Sequence, residues 1–107
     1  MRLEVLEAAA LAIVEQADYY ELKSGPALSR RWEGAVDEAI QRLLQWPESG
    51  ALARFRSPKL KDIRWAAISG FPKYLIFYRY RAENETLLVI HVLHGARDLE
   101  AILDSNG

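Results

Sequence analysis

Apolar and polar positions alternate from Arg2 to Leu6, which predicts a short strand. From Glu7 to Leu22 the period changes. Ala10, Ile13, Val14, Ala17 and Tyr20 or Glu21 recur at three and four residues, the stripe of a helix packed on one face. Lys23-Ser24-Gly25-Pro26 interrupts it: Gly25 suits a helix end, Pro26 suits the first turn of the next helix, and Ser24 is its expected N-cap. The second helix is the clearest element. Leu28, Trp32, Ala35, Val36, Ala39, Ile40, Leu43 and Leu44 form one apolar face, and Pro47 ends it. So short a connection makes the two helices an antiparallel hairpin.

Strands dominate the second half. Ala51 to Arg56 is short and ambiguous, and Ile63 to Ile68 alternates. Ser69-Gly70-Phe71-Pro72 is a turn, and Lys73 to Arg81 is rich in β-branched and aromatic residues. Ala82 to Glu85 reads as a hairpin loop before Thr86 to His94. These last two strands are too apolar for a sheet wet on one side, so both faces are expected to be covered, one of them by a partner segment. Asp98 to Leu103 predicts a short helix that docks Leu99 and Leu103 and is dispensable for folding. The fold class is α+β, in the order β-α-α-β-β-β, with a helical hairpin packed on an antiparallel sheet. At 107 residues this is a single domain, 1–107.

Charge sharpens the picture. Residues 1–50 carry 5 Lys/Arg against 9 Asp/Glu, and residues 51–107 carry 9 against 6. Between Arg54 and Arg81 eight cations face only Asp62, which suggests a face that meets something anionic; the alternative is a solvated sheet edge guarded by Lys and Arg. The absence of cysteine removes disulfides and thiolate metal sites. The longest apolar run, Ala8 to Val14, falls far short of the roughly 20 residues of a membrane span. No signal-peptide pattern opens the chain, and a cytoplasmic location without membrane contact is expected.

The chemical inventory is thin. No phosphate-binding or nucleophile-elbow motif occurs. His91 and His94 are expected on opposite faces of the last strand, a divergent pair that makes no metal site. Four residues form the one candidate constellation: His94 and Arg97 at the end of the last strand, Arg79 on its hairpin neighbour, and Arg64 on the strand before. Such parts serve phosphodiester chemistry, or they pair with an acidic peptide or with neighbouring surface acids. Partner binding ranks first, surface pairing second and catalysis third. Trp32 and Trp65 are expected in the core, with Trp46 packed under the loop at Pro47.

Lys73-Tyr74-Leu75-Ile76-Phe77-Tyr78-Arg79 and Val92-Leu93-His94-Gly95-Ala96-Arg97-Asp98-Leu99 resemble the plasmid-stabilisation toxins of the ParE type, within the RelE/ParE superfamily. The Tyr19-Tyr20 pair closing the first helix and the Pro47-x-x-Gly50 loop also fit, and the resemblance spans the whole chain. It implies the same β-α-α-β-β-β fold. It implies a toxin neutralised by a cognate antitoxin, ParD-like, a ribbon-helix-helix protein with a C-terminal tail, through which alone DNA would be contacted. It implies DNA gyrase as target, with replication blocked, and no cofactor. Related RelE-type toxins instead cut mRNA on the ribosome, and for that alternative the catalytic set would be Arg64, Arg79, His94 and Arg97. A pI of about 6.1 and the lack of a tyrosine after Tyr80 favour the protein inhibitor, without catalytic residues, over the nuclease. The surface for antitoxin or target would be Arg54, Arg56, Lys59, Lys61, Arg64, Arg79, Arg81, His94 and Arg97.

Overall fold

The computed structural model describes residues 1–106. Strand β1 (Arg2–Val5) leads into helix α1 (Glu7–Ser24), and helix α2 (Pro26–Gln45) follows directly. Gly25 alone separates the helices, with φ +88, a conformation that suits a residue without a Cβ. It also occupies the N-cap position of α2, which has no side-chain cap, so Ser24 ends α1 and does not cap its successor. Strands β2 (Ala51–Leu52), β3 (Arg64–Ile68), β4 (Phe71–Arg81) and β5 (Thr86–His94) come next, then helix α3 (Leu99–Asn106).

The five strands lie in the order β1-β5-β4-β3-β2. The pairs β2–β3, β3–β4 and β4–β5 are antiparallel, but β1 runs parallel to β5, with Leu3 opposite Leu87 and Val5 opposite Val89. The expected all-antiparallel sheet is thus mixed: hydrophobic alternation fixes a strand's faces and not the direction of its neighbour.

Both faces of β4 and β5 are buried, as their composition demands. On one side Ile76, Tyr78, Leu87, Val89 and Val92 pack under the helices with Trp32, Val36, Ala39 and Leu43. On the other, Phe77, Leu88, Ile90 and Leu93 pack against Ala53, Leu60, Ile63 and Leu103. The second cover is therefore the chain's own 53–63 segment together with α3, where the sequence suggested a partner. Leu103 is fully buried and Leu99 half-buried, so α3 belongs to the core, which argues against its being dispensable. Three hydrogen bonds tie it down further. The Glu100 carboxylate accepts from the Arg56 and Ser57 backbone N–H groups at 3.1 and 2.9 Å, and Asp104 accepts from the Ser57 hydroxyl at 3.0 Å.

Helix α2 buries the face that its pattern predicts. Helix α1 does not. Ala9, Ala12, Ile13, Ala17 and Tyr20 face the core, whereas Ala10 is exposed and Val14 is 53% exposed. The run Ala8 to Val14 is apolar all round, so its period carries little directional information. Leu11 and Leu22 are left in solvent as well. Trp65 is only partly buried, against the second core cluster. Trp46 is 63% exposed and does not pack under the loop.

That loop is held from beneath by Tyr78, which is fully buried. Its hydroxyl accepts from the Gly50 N–H at 2.9 Å and donates to the Pro47 carbonyl at 2.8 Å. A Cβ on Gly50 would stand 2.8 Å from the Trp65 carbonyl oxygen and run into the Tyr78 ring, so only glycine fits.

A bulge interrupts the central hairpin. Phe77 pairs with His91 and Tyr78 with Val89, so Ile90 is an extra residue on β5. The alternation resets there: Val89 and Val92, three apart, both point toward the helices. The bulge precedes His91, so alternation from His91 to His94 is regular: His91 shares the face of Phe77 and His94 that of Tyr74, opposite sides of the strand as expected, although both border one cleft.

Candidate functional site

The nine cationic or titratable positions singled out in the sequence fall into three places. Arg54, Arg56, Lys59 and Lys61 lie on the segment that covers the second sheet face, and all four are exposed. They alternate with the inward Ala53, Phe55 and Leu60, so one stretch presents an apolar underside and a charged outer side. Arg79 emerges beside this segment, its Nε 2.9 Å from an Asp62 carboxylate oxygen, and its guanidinium also donates to the Lys59 carbonyl. Lys59 pairs with Asp104 at 3.4 Å. Arg81 is exposed at the end of β4.

Arg64 sits apart, at the Pro47–Gly50 loop. Its guanidinium donates to the Gly50 carbonyl at 2.7 Å and to the Glu48 carbonyl at 3.1 Å. Loop anchoring accounts for its position.

His94 and Arg97 occupy the third place, where β5 gives way to a tight turn closed by the Arg97 N–H donating to the His94 carbonyl at 3.1 Å. His94 is opposite Tyr74 in the sheet, whereas Arg79 is opposite Leu88. Five residues of β4 separate Tyr74 from Arg79, roughly 17 Å at strand rise. The side chain of Arg79 also projects to the other face of the sheet, toward Asp62. The quartet of Arg64, Arg79, His94 and Arg97 is therefore not one site.

A different group gathers around His94. A cleft of about 540 Å³ runs between α1 and the end of β5, lined among others by Glu15, Tyr19, Tyr74, His91, His94 and Arg97. An aromatic chain forms one wall. Tyr20 meets Trp32 at 5.8 Å, Trp32 meets Tyr74 edge-on at 5.1 Å, and Tyr74 meets His94 edge-on at 5.1 Å between ring centroids. These are the favoured tilted and T-shaped contacts, and they fix the His94 ring. Burial pushes the Tyr74 hydroxyl above its ordinary pKa, and the neighbouring Tyr20 adds to the shift. Burial lowers His91 below its ordinary value, with the Arg97 charge acting in the same direction and the hydrogen bond to Val92 opposing. Among the described residues no group of His, Asp and Glu is placed to hold a metal ion.

The sequence singled out His94 and Arg97 and missed the cleft they line. His91 borders it from the opposite face of β5, and Glu15 and Tyr19 reach it from the far wall of α1. Nothing in local spacing marks either, because both are products of tertiary placement.

Among the described residues no helix is long and apolar enough to cross a membrane. No curated protein sequence matches significantly. Several solved structures share the fold, among them three toxin–antitoxin systems. The chromosomal ParDE toxin–antitoxin system from P. aeruginosa is similar at TM-score 0.71 and 17% identity, covering 88% of this chain and 95% of that one. The RelBE2 toxin–antitoxin complex from Mycobacterium tuberculosis is similar at TM-score 0.59 and 20% identity, covering 87% and 95%. The intact RelBE toxin–antitoxin complex from E. coli is similar at 0.55 and 18%, covering 90% and 98%. The family model for the ParE toxin of the type II toxin–antitoxin system parDE matches residues 3–99, nearly the whole chain, and the chain belongs to that family.

Proposed function

We propose that this toxin acts as a protein inhibitor of DNA gyrase, neutralised by a cognate antitoxin, and not as a ribosome-dependent nuclease. The observation that carries the reading is the dispersal of its cations. Cleavage of RNA needs an acid–base group and charge-stabilising cations around one phosphodiester. Here Arg64 is committed to the loop carbonyls and Arg79 to Asp62, both distant from His94. What remains is a set of exposed cations, Arg54, Arg56, Lys61 and Arg81, suited to complementary charge on another protein.

The exposed apolar side of α1 supports a protein partner: Leu11, Val14 and Leu22 stand in solvent, Leu22 at 87%. The solved relatives are toxin–antitoxin pairs, and an antitoxin of the ParD kind is the natural occupant.

Two assays run side by side test the proposal. The purified toxin is expected to block supercoiling by gyrase and to leave ribosome-bound mRNA intact. Charge reversal at Arg54 and Arg56 should weaken inhibition without unfolding the chain. Cleaved mRNA with supercoiling untouched overturns the reading in favour of the nuclease.

A further inference from the structure

We propose that the outer edge of β1 is a self-association surface, on which a second copy of this chain adds its own β1 antiparallel and joins the two sheets into one. Strand β1 ends the sheet, and its outer edge pairs with no other described strand. All four of its residues are exposed. Natural edges are commonly shielded by lysines, by proline or by a bulge. Strand β1 has none of these and carries instead one cation and one anion, Arg2 and Glu4.

The backbone fixes which groups face outward. The Arg2 N–H donates to the Glu85 carbonyl at 2.8 Å, and the Leu6 N–H donates to the Val89 carbonyl at 2.9 Å. Even positions of β1 thus turn toward β5, and strand alternation turns the N–H and C=O groups of Leu3 and Val5 outward. Two antiparallel copies can exchange these bonds only where odd positions oppose odd positions. One such register sets Arg2 opposite Arg2 of the second copy, and another sets Glu4 opposite Glu4. Both place like charges face to face, which is destabilising. The register between them sets Leu3 opposite Leu3 of the second copy, and there every pair agrees. Arg2 meets Glu4 of the second copy, Glu4 meets its Arg2, and Met1 and Val5 meet each other.

In that register the two Leu3 residues exchange hydrogen bonds in both directions about the two-fold axis. The Arg2–Glu4 pairs fall at the non-hydrogen-bonded positions, where Cα atoms approach to about 4.5 Å and side chains are closest. Within one copy Arg2 and Glu4 pair with each other at 3.2 Å, largely in water. Across the edge the four charges alternate in a ring. The apolar residues use the opposite face. Leu3 stands beside Leu87 and Val5 beside Val89, both members of the core under the helices. Met1, Leu3 and Val5 are 53%, 41% and 39% exposed, so joining the edges extends that core over apolar surface now covered by water. About five residues from each copy is far fewer than the roughly 20–30 of a standard interface, so the dimer is weak, with a dissociation constant of about 10–100 μM.

Sedimentation equilibrium of the full chain over about 5–500 μM should show a monomer–dimer equilibrium. Arg2→Glu and Glu4→Arg should each weaken it at least about tenfold, because each sets like charges opposite one another. Mixing the R2E and E4R chains in equal amounts should restore the dimer, since one edge is then wholly acidic and the other wholly basic. The double variant R2E/E4R should dimerise by itself. Leu3→Pro removes an outward N–H and leaves the bonds from Arg2 and Leu6 to β5 in place, so it should abolish the dimer while the chain still melts cooperatively. A chain that stays monomeric at the highest concentration, a dimer indifferent to both charge reversals, or a mixture of R2E and E4R that fails to associate would each overturn the proposal.

Discussion

Replacing Tyr78 by phenylalanine removes one oxygen from a fully buried position while the ring still fills its place in the core. Two hydrogen bonds go with it. The Gly50 N–H loses its acceptor at 2.9 Å, and the Pro47 carbonyl loses its donor at 2.8 Å. Gly50 is buried, so its N–H is stranded at a cost of about 1–3 kcal/mol. Pro47 is half-buried and can recover part of its loss from water. A net destabilisation of about 2 kcal/mol follows. With an unfolding entropy of about 2.1 cal/mol/K per residue, a chain of this length should lose roughly 9 °C in Tm. Calorimetry at neutral pH reads this directly. A fall of less than about 2 °C would refute the argument and show that Arg64 alone holds the loop. Alkaline pH provides an independent check. Burial raises the Tyr78 pKa above 10.0 in the folded state, so the native protein keeps this proton longer than the unfolded chain. The associated stability is intact below about pH 10 and is lost as pH rises through the folded value. The Y78F variant should lose stability less steeply there.

Gly50→Ala should destabilise by more than about 2 kcal/mol in chemical denaturation, because a Cβ 2.8 Å from the Trp65 carbonyl oxygen displaces backbone; a neutral result would mean that the loop moves freely. Leu103→Ala should cost about 2–5 kcal/mol, and truncation after Arg97 should abolish cooperative melting, since the second core would lose part of its cover. Glu85 adopts φ +49, so Glu85→Asn should raise stability by about 0.5–1 kcal/mol, read as a shift in the denaturation midpoint. His91 has a lowered pKa in the folded state, so the unfolded chain takes up its proton first: stability should hold above about pH 6.5 and fall as pH drops through the folded value, and His91→Gln should flatten that acid limb.

The legible parts of this fold are those where pattern and partner coincide. Helix α2 has a polar face and an apolar face, and Trp32, Val36, Ala39, Ile40 and Leu43 are buried as their spacing requires. The doubly apolar β4 and β5 likewise declare that both their sides are covered. What a pattern cannot say is which chain segment does the covering, and here it is the segment whose charges made it look like pure surface. The face of α1 was illegible because alanines and aliphatics surround it on all sides. The bulge at Ile90 was illegible because a run such as Leu-Leu-Val-Ile-His-Val-Leu reads as well with one extra residue as without.

The basic window has a structural origin that bears on how its function can be tested. Ala53, Phe55, Leu60 and Ile63 must point inward to close the second face of the sheet. The residues between them are thereby forced into solvent, where Arg54, Arg56, Lys59 and Lys61 keep the segment wetted on its outer side. Acids then fasten it: Glu100 and Asp104 from α3 and, below, Asp62 holding Arg79. Lys59 and Arg79 therefore belong to the fastening, and their loss would loosen the cover as well as change the charge. Among the described residues Arg54, Lys61 and Arg81 take no part in these side-chain ties and differ from the others in that respect. Substitutions at these three should alter encounter with a charged protein while Tm stays within about 2 °C, because surface changes away from buried contacts usually stay within about 0.5 kcal/mol. Substitutions at Lys59 or Arg79 should move both binding and Tm. If all five behaved alike, the separation between fastening cations and free cations would be wrong, and the dispersal argument against a nuclease would lose its footing with it.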